Sequence, residues 1–207
     1  MTKIKLCGLT RPCDIEEANR LLPEYIGFVF APKSRRYIAP EQAEALREKL
    51  DARVCAVGVF VREKPETVAA LLNRGVIDVA QLHGGEDREY IKMLRALTDK
   101  PILQAFRVDG PADLERARNS TADFILLDSG AGGTGTSFDW ALLRDFERPY
   151  FLAGGLESGN VAAAVKELRP YAVDVSSGIE SDGVKDWIKM KAFVEAVRAA
   201  SGEGEER

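Results

Sequence analysis

Short apolar, β-branched runs recur along the chain, and between them the apolar positions move to helical spacing. The strand-like runs are KIKLC (3–7), YIGFVF (25–30), VCAVGVF (54–60), IDVAQLH (77–83), PILQAFR (101–107), DFILLD (123–128), PYFLAGG (149–155) and YAVDVSS (171–177). Their length and their content of Val, Ile, Phe and Tyr read as strands. Helical spacing fills PEQAEALREKL (40–50), KPETVAALLNRG (64–75), EDREYIKMLRALT (86–98) and PADLERARN (111–119). It returns in SFDWALLRDF (137–146), ESGNVAAAVKELRP (157–170) and VKDWIKMKAFVEAVRAA (184–200). Start signals support several of these: Pro40 at a first-turn position, Ser158 as a cap, Glu86 and Asp87 in a first turn.

The pattern predicts eight strands, each followed by a helix. Strict alternation means a parallel sheet, and eight units in 207 residues fit the lower end of the size range of a single (β/α)8 TIM barrel. An open doubly wound α/β sheet is the competing arrangement. No shift in composition marks a second domain, so residues 1–200 are expected to form the barrel. Residues 201–207 (SGEGEER) are expected to form a polar, frayed tail.

A barrel places its chemistry at the carboxyl ends of the strands, and that is where the polar and glycine-rich residues gather. Strand 1 ends at Cys7, strand 4 at QLHG, strand 6 at Asp128, strand 7 at AGG and strand 8 at SSG. Alternation along a strand sets the face. Lys5 pairs with Cys7, Gln81 with His83, Leu126 with Asp128, and Asp174 with Ser176. If Ile4, Leu6, Ile125 and Leu127 pack outward on the helices, Cys7 and Asp128 both point into the mouth.

Composition narrows the function. The formal net charge is −4, with 30% charged residues. That balance argues against nucleic acid, which demands a basic footprint, but leaves room for a small anionic ligand held by helix ends or a few cations. No stretch has the apolar length of a membrane helix. Three scattered cysteines and no CxxC pair point to a reducing, cytoplasmic setting. The single histidine, with no carboxylate or thiol at ligand spacing, argues against a metal site; no metal and no cofactor is expected.

Taken alone, Cys7 fits a small core residue or a functional thiol. As a base it needs a nearby cation to favour the thiolate, and Lys5 is one pleat away. Asp128 at the end of an apolar run fits a solvated structural carboxylate or a general acid whose pKa is raised by apolar surroundings. His83 reads as a hydrogen-bonded wall residue rather than a base. Arg35 or Arg36, after strand 2, can clamp a carboxylate. The stretch SGAGGTGTS (129–137) is neither a P-loop nor a dinucleotide fingerprint; a mobile loop and a ligand lid both fit it. The turns AGGLESGN and DVSSGIESDG follow strands 7 and 8, the usual place for a phosphate site in a barrel.

Read together, KLCGLT (5–10), GFVFAPKSRRYI (27–38), VGVF (57–60), QLHG (81–84), LLDSGAGGTGTSFDW (126–140), LAGGLESGNV (152–161), RPYAVDVSSGIE (169–180) and GVKD (183–186) resemble the phosphoribosylanthranilate isomerase family of tryptophan biosynthesis. The resemblance implies an Amadori rearrangement of a phosphorylated small molecule by a cytoplasmic monomer or homodimer. Asp128 would be the general acid and Cys7 the general base. Arg36 would hold the anthranilate carboxylate, and Asp174 would orient the polar part of the substrate, with Gln81 and His83 beside it. Gly154, Gly155, Ser176, Ser177 and Gly178 would cradle the phosphate. One departure is Arg35, where the family usually has proline. The alternatives are another sugar-phosphate isomerase, of the histidine-pathway or dual-specific kind, and a non-catalytic sugar-phosphate binder.

Overall fold

The computed structural model describes residues 1–128 and 140–202. Eight parallel strands close into a barrel in chain order: β1 (Lys3–Cys7), β2 (Tyr25–Val29), β3 (Cys55–Phe60), β4 (Val79–Leu82), β5 (Ile102–Arg107), β6 (Phe124–Asp128), β7 (Tyr150–Ala153) and β8 (Ala172–Val175). The closure is made by β1 and β8, with Lys5 directly beside Asp174. The glycine-rich stretch 129–137 and the tail residues 203–207 lie outside the described residues.

Among the described residues, seven helices surround the barrel: α1 (Pro12–Leu21), α2 (Pro40–Arg47), α3 (Pro65–Asn73), α4 (Arg88–Arg95), α5 (Pro111–Arg118), α6 (Val161–Leu168) and α7 (Trp187–Gly202). Four of them begin on a proline, whose fixed φ suits a first turn and whose missing N–H has no partner to lose there. Asp87 caps α4 by accepting from the Tyr90 N–H at 2.9 Å. Short as it is, α5 is a regular helix.

Three expectations change. The helix expected over 137–146 is a single 3-10 turn, Trp140–Leu143, in its described part. Pro149 disfavours helix at the residue just before it, and the one turn already buries Leu143. Ser158 does not cap α6. That helix starts after Asn160, whose amide instead accepts from the Glu157 N–H and donates to the Gly155 carbonyl, both at 2.9 Å, and so braces the turn after β7. Finally, α7 runs to Gly202, two residues into the stretch read as tail.

Two apolar layers result from the strand alternation. Ile4, Leu6, Ile125, Leu127, Val173 and Val175 face outward and join the helices in one core. Tyr25, Val57, Val79, Leu103, Leu126 and Phe151 fill the barrel interior. Above that filling, Cys7, Val29 and Val59 form a small cluster at the carboxyl mouth. Burying these side chains contributes about 25 cal/mol per Å² of apolar surface, which pins each strand's register: a slip of one residue would turn every inward side chain outward.

Candidate active site

A cavity of about 1170 Å³ opens at the carboxyl ends of the strands, with a branch running outward between α4 and α5. Its walls include Cys7, Arg36, Gln81, His83, Asp128 and Asp174. Gly154, Gly155, Ser176 and Ser177 line it from the β7 and β8 turns. The outward packing of Ile4, Leu6, Ile125 and Leu127 therefore has the consequence foreseen from alternation: residues 7 and 128 face one chamber.

Cys7 is buried, with its sulfur against the backbone of β2. Gly27 leaves the room, since a Cβ there would lie 2.7 Å from Sγ. Lys5 lies below it, fully buried, with Nζ 2.9 Å from Asp174 Oδ2. Burial alone would pull this lysine down, but the Asp174 carboxylate and the neighbouring thiol hold its pKa above the usual value. For Cys7 the balance goes the other way. Burial pushes the thiol up, and Lys5 and Lys185 do not offset it while the Asp174 charge adds to the rise. The expectation that Lys5 makes Cys7 a thiolate thus fails for the unliganded site, because burial outweighs the nearby ammonium groups and the Asp174 carboxylate adds to the rise.

Asp128, at the end of β6, has its Oδ2 3.5 Å from His83 Nε2 across the mouth, with both side chains partly exposed. The wall beside this carboxyl is thus not purely apolar, as the sequence had implied; an imidazole faces it. Gln81 and Asp174 lie deeper, at 2% and 9% exposure. Gln81 Oε1 and Asp174 Oδ1 are buried acceptors without a hydrogen-bond partner among the described residues. Buried acceptors are costly to leave unmet, so both suit ligand hydroxyls.

Arg36 is held by a bidentate pair: Nε to Glu180 Oε1 at 2.6 Å and Nη2 to Glu180 Oε2 at 2.9 Å. The side edge of the guanidinium is thereby used, while its outer edge, with Nη1, still carries donors for a second planar carboxylate. Arg35, the departure from the family pattern, binds the same Glu180 at 2.8 Å.

The glycine turn after β7 has φ of 97° at Gly154 and 61° at Gly155, conformations that suit glycine. Ser176 Oγ donates to the Cys7 carbonyl at 3.1 Å, so in this structure its hydroxyl ties β8 to β1. Gly178 does not line the cavity. A Cβ there would sit 2.0 Å from the Leu156 carbonyl oxygen, which makes it the point where the turns after β7 and β8 touch. Gly178→Ala is expected to destabilise the fold by about 1–3 kcal/mol through this overpacking, read as a lower urea midpoint.

The family model described as N-(5'phosphoribosyl)anthranilate (PRA) isomerase matches residues 4–196. The chain belongs to that family. It is 44% identical to the N-(5'-phosphoribosyl)anthranilate isomerase of Endomicrobium trichonymphae over 96% of this chain and all of the relative. The crystal structure of phosphoribosyl anthranilate isomerase from Thermotoga maritima superposes with a TM-score of 0.88 at 38% identity, covering 96% of this chain and all of that one. A phosphoribosyl anthranilate isomerase crystallised with reduced 1-(o-carboxyphenylamino)-1-deoxyribulose 5-phosphate gives 0.86 at 37% identity, with the same coverage.

Two residues of this isomerase-family site went unassigned in the sequence: Glu180 and Lys185. They face one another across a two-residue hairpin, β9 (Glu180–Ser181) and β10 (Val184–Lys185). Asp182 and Gly183 at its tip both have positive φ, and a DG pair between short strands is the signal that could have found it. Lys185 Nζ meets Glu180 Oε1 at 2.7 Å and the Ser176 carbonyl at 2.8 Å. One carboxylate therefore joins Arg36 to the loop beside Cys7. Burial disfavours its charge, but hydrogen bonds from Arg36 and Lys185 prevail and hold Glu180 at about 2, down from 4.5.

Because that pKa is lower folded than unfolded, the stability it brings is complete above about pH 4.5 and is lost as pH falls toward 2. The urea midpoint of the wild type is expected to drop across that window. The drop should be visibly smaller in Glu180→Gln, and equal drops would remove Glu180 from the account.

Proposed function

We infer that this chain catalyses the Amadori rearrangement of N-(5'-phosphoribosyl)anthranilate to 1-(2-carboxyphenylamino)-1-deoxyribulose 5-phosphate, a step of L-tryptophan biosynthesis. Family membership over 4–196 supports the activity. The observation that carries the assignment of roles is the shared chamber of Cys7 and Asp128, next to the two glycine-bearing turns.

In this reading Asp128 gives its proton to the furanose ring oxygen, and the ring opens to a Schiff base at C1'. His83, at 3.5 Å, orients the carboxyl. Cys7, as thiolate, takes the proton from C2'. The C2'–H electron pair moves into a C1'–C2' double bond and the iminium nitrogen is neutralised. The resulting enolamine tautomerises: C2' becomes the ketone carbon and C1' gains a hydrogen. There is no net redox change.

The anthranilate carboxylate sits on the outer edge of Arg36. Asp174 and Gln81 accept from the sugar hydroxyls. The phosphate lies on backbone N–H groups of the turns carrying Gly154, Gly155, Ser176 and Ser177, with Gly178 keeping those turns in contact. The three free cysteines, one of them the base, fit a reducing cytoplasmic setting. The assembly is a monomer or a homodimer; a dimeric Thermotoga maritima relative has been crystallised as monomers.

The test is direct. Freshly prepared phosphoribosylanthranilate is mixed with the protein and its disappearance followed, with product identified by mass and chromatography. Turnover is expected. Tight binding of the reduced product analogue without any turnover would leave only a sugar-phosphate binder.

A further inference from the structure

A base must be deprotonated when it acts, yet in the unliganded site Cys7 is pushed toward the thiol. The geometry around it holds the means of changing that. Lys5, on the same face of β1, is fully buried, and its ammonium stands between two acids. One is Asp174, at 2.9 Å; the other is the Cys7 thiol. A buried cation requires a compensating anion, and at rest Asp174 is that anion. Asp174 is itself unfinished: it lines the cavity, and its buried Oδ1 has no hydrogen-bond partner among the described residues.

We propose that Lys5 is a positioning residue that turns Cys7 into the base when substrate arrives, because sugar hydroxyls donating to Asp174 draw that carboxylate's charge away from Lys5 and leave the sulfur as its counter-ion. The proposal rests on Cys7 being the general base. The S–H bond breaks with its electron pair kept on sulfur, and the proton passes to solvent through the open mouth. The remaining charged groups that face Cys7 are Lys185 from β10 and Arg36 from the loop after β2. Both share the single Glu180 carboxylate with Arg35. The arrangement keeps a reactive thiolate out of the empty enzyme and makes it where hydroxyls are present.

The test reads the thiol itself. Alkylation of Cys7 by iodoacetamide is followed at neutral pH, residue by residue, by mass spectrometry. Asp174→Asn is expected to lose turnover but to alkylate at Cys7 about tenfold faster than wild type, the factor that one unit of thiol pKa brings. Adding Lys5→Met to Asp174→Asn is expected to abolish that gain. The double variant is uncharged at both buried positions, so it avoids the stranded carboxylate that threatens the folding of Lys5→Met alone.

In the wild type, the acid limb of the kcat profile, which reports the bound enzyme, is expected at lower pH than that of kcat/KM, which reports the free enzyme. Alkylation of Asp174→Asn no faster than wild type would overturn the proposal. So would a gain that survives Lys5→Met, since that gain would come from looser packing. Retention of turnover by Cys7→Ala would instead sink the assignment of Cys7 as base, which separates the two failures.

Discussion

Cys7→Ala is expected to lower kcat by at least ~100-fold with KM little changed, since a positioned base contributes ~10²–10⁴-fold. The argument begins with the site's inventory. Among the residues lining the mouth, the sulfur of Cys7 stands at the end of β1 beside a buried ammonium, while the one imidazole of the chain, just after β4, faces Asp128. Alanine removes the proton acceptor and little volume. It leaves the turns proposed to hold phosphate and the arginine proposed to hold carboxylate where they are, so ground-state binding should persist and the loss should fall on the chemical step. Cys7→Ser is the sharper companion. It keeps the shape, but a hydroxyl is a far poorer anion than a thiol, so its kcat should fall nearly as far. Single-turnover rates with saturating substrate, together with KM, decide the matter. Wild-type kcat in either variant would remove Cys7 from the mechanism.

Asp128→Asn is expected to have an effect of similar size, ~10²–10⁴-fold on kcat, for a complementary reason. The amide is isosteric and can still meet His83, so packing and the position of the side chain survive. It lacks a transferable acidic proton, so the ring oxygen must leave as an alkoxide. A substrate supplied already ring-opened bypasses that step. The decisive measurement is therefore the ratio of rates for the cyclic and open-chain forms. Asp128→Asn should suppress the first far more than the second, whereas Cys7→Ala should suppress both alike. Equal suppression in Asp128→Asn would mean that the carboxyl acts somewhere other than ring opening.

Much of this site was legible along the chain. Strand alternation has a period of two, so the outward demand of Ile4 and Leu6 and of Ile125 and Leu127 for helix contact sends Cys7 and Asp128 inward without any knowledge of the rest. The same alternation paired Gln81 with His83 and Asp174 with Ser176, and the structure places all four in the chamber. Glycines after β7 and β8 were readable as a phosphate side, although the role of Gly178 was not. Its neighbour Leu156 belongs to another loop, and only an approach of 2.0 Å to an added Cβ reveals the constraint. Glu180 and Lys185 escaped because the eye passes over a two-residue strand. Their hairpin matters only once Glu180 meets Arg36 from the loop after β2.

By itself the sequence determined the barrel, through the alternation of strand and helix. It also determined which side chains face the chamber, through the period of the strand, and the family, through motifs spread over most of its length. What only the tertiary structure decided is which charge answers which. Lys5 and Asp174 are 169 residues apart and become partners because the sheet closes β1 on β8. Reading along β1, the ammonium has only the thiol for company; in the closed ring it has a carboxylate at 2.9 Å. Coulomb energy depends on distance and burial in space rather than on separation along the chain, so the partner of Lys5 was settled by barrel closure.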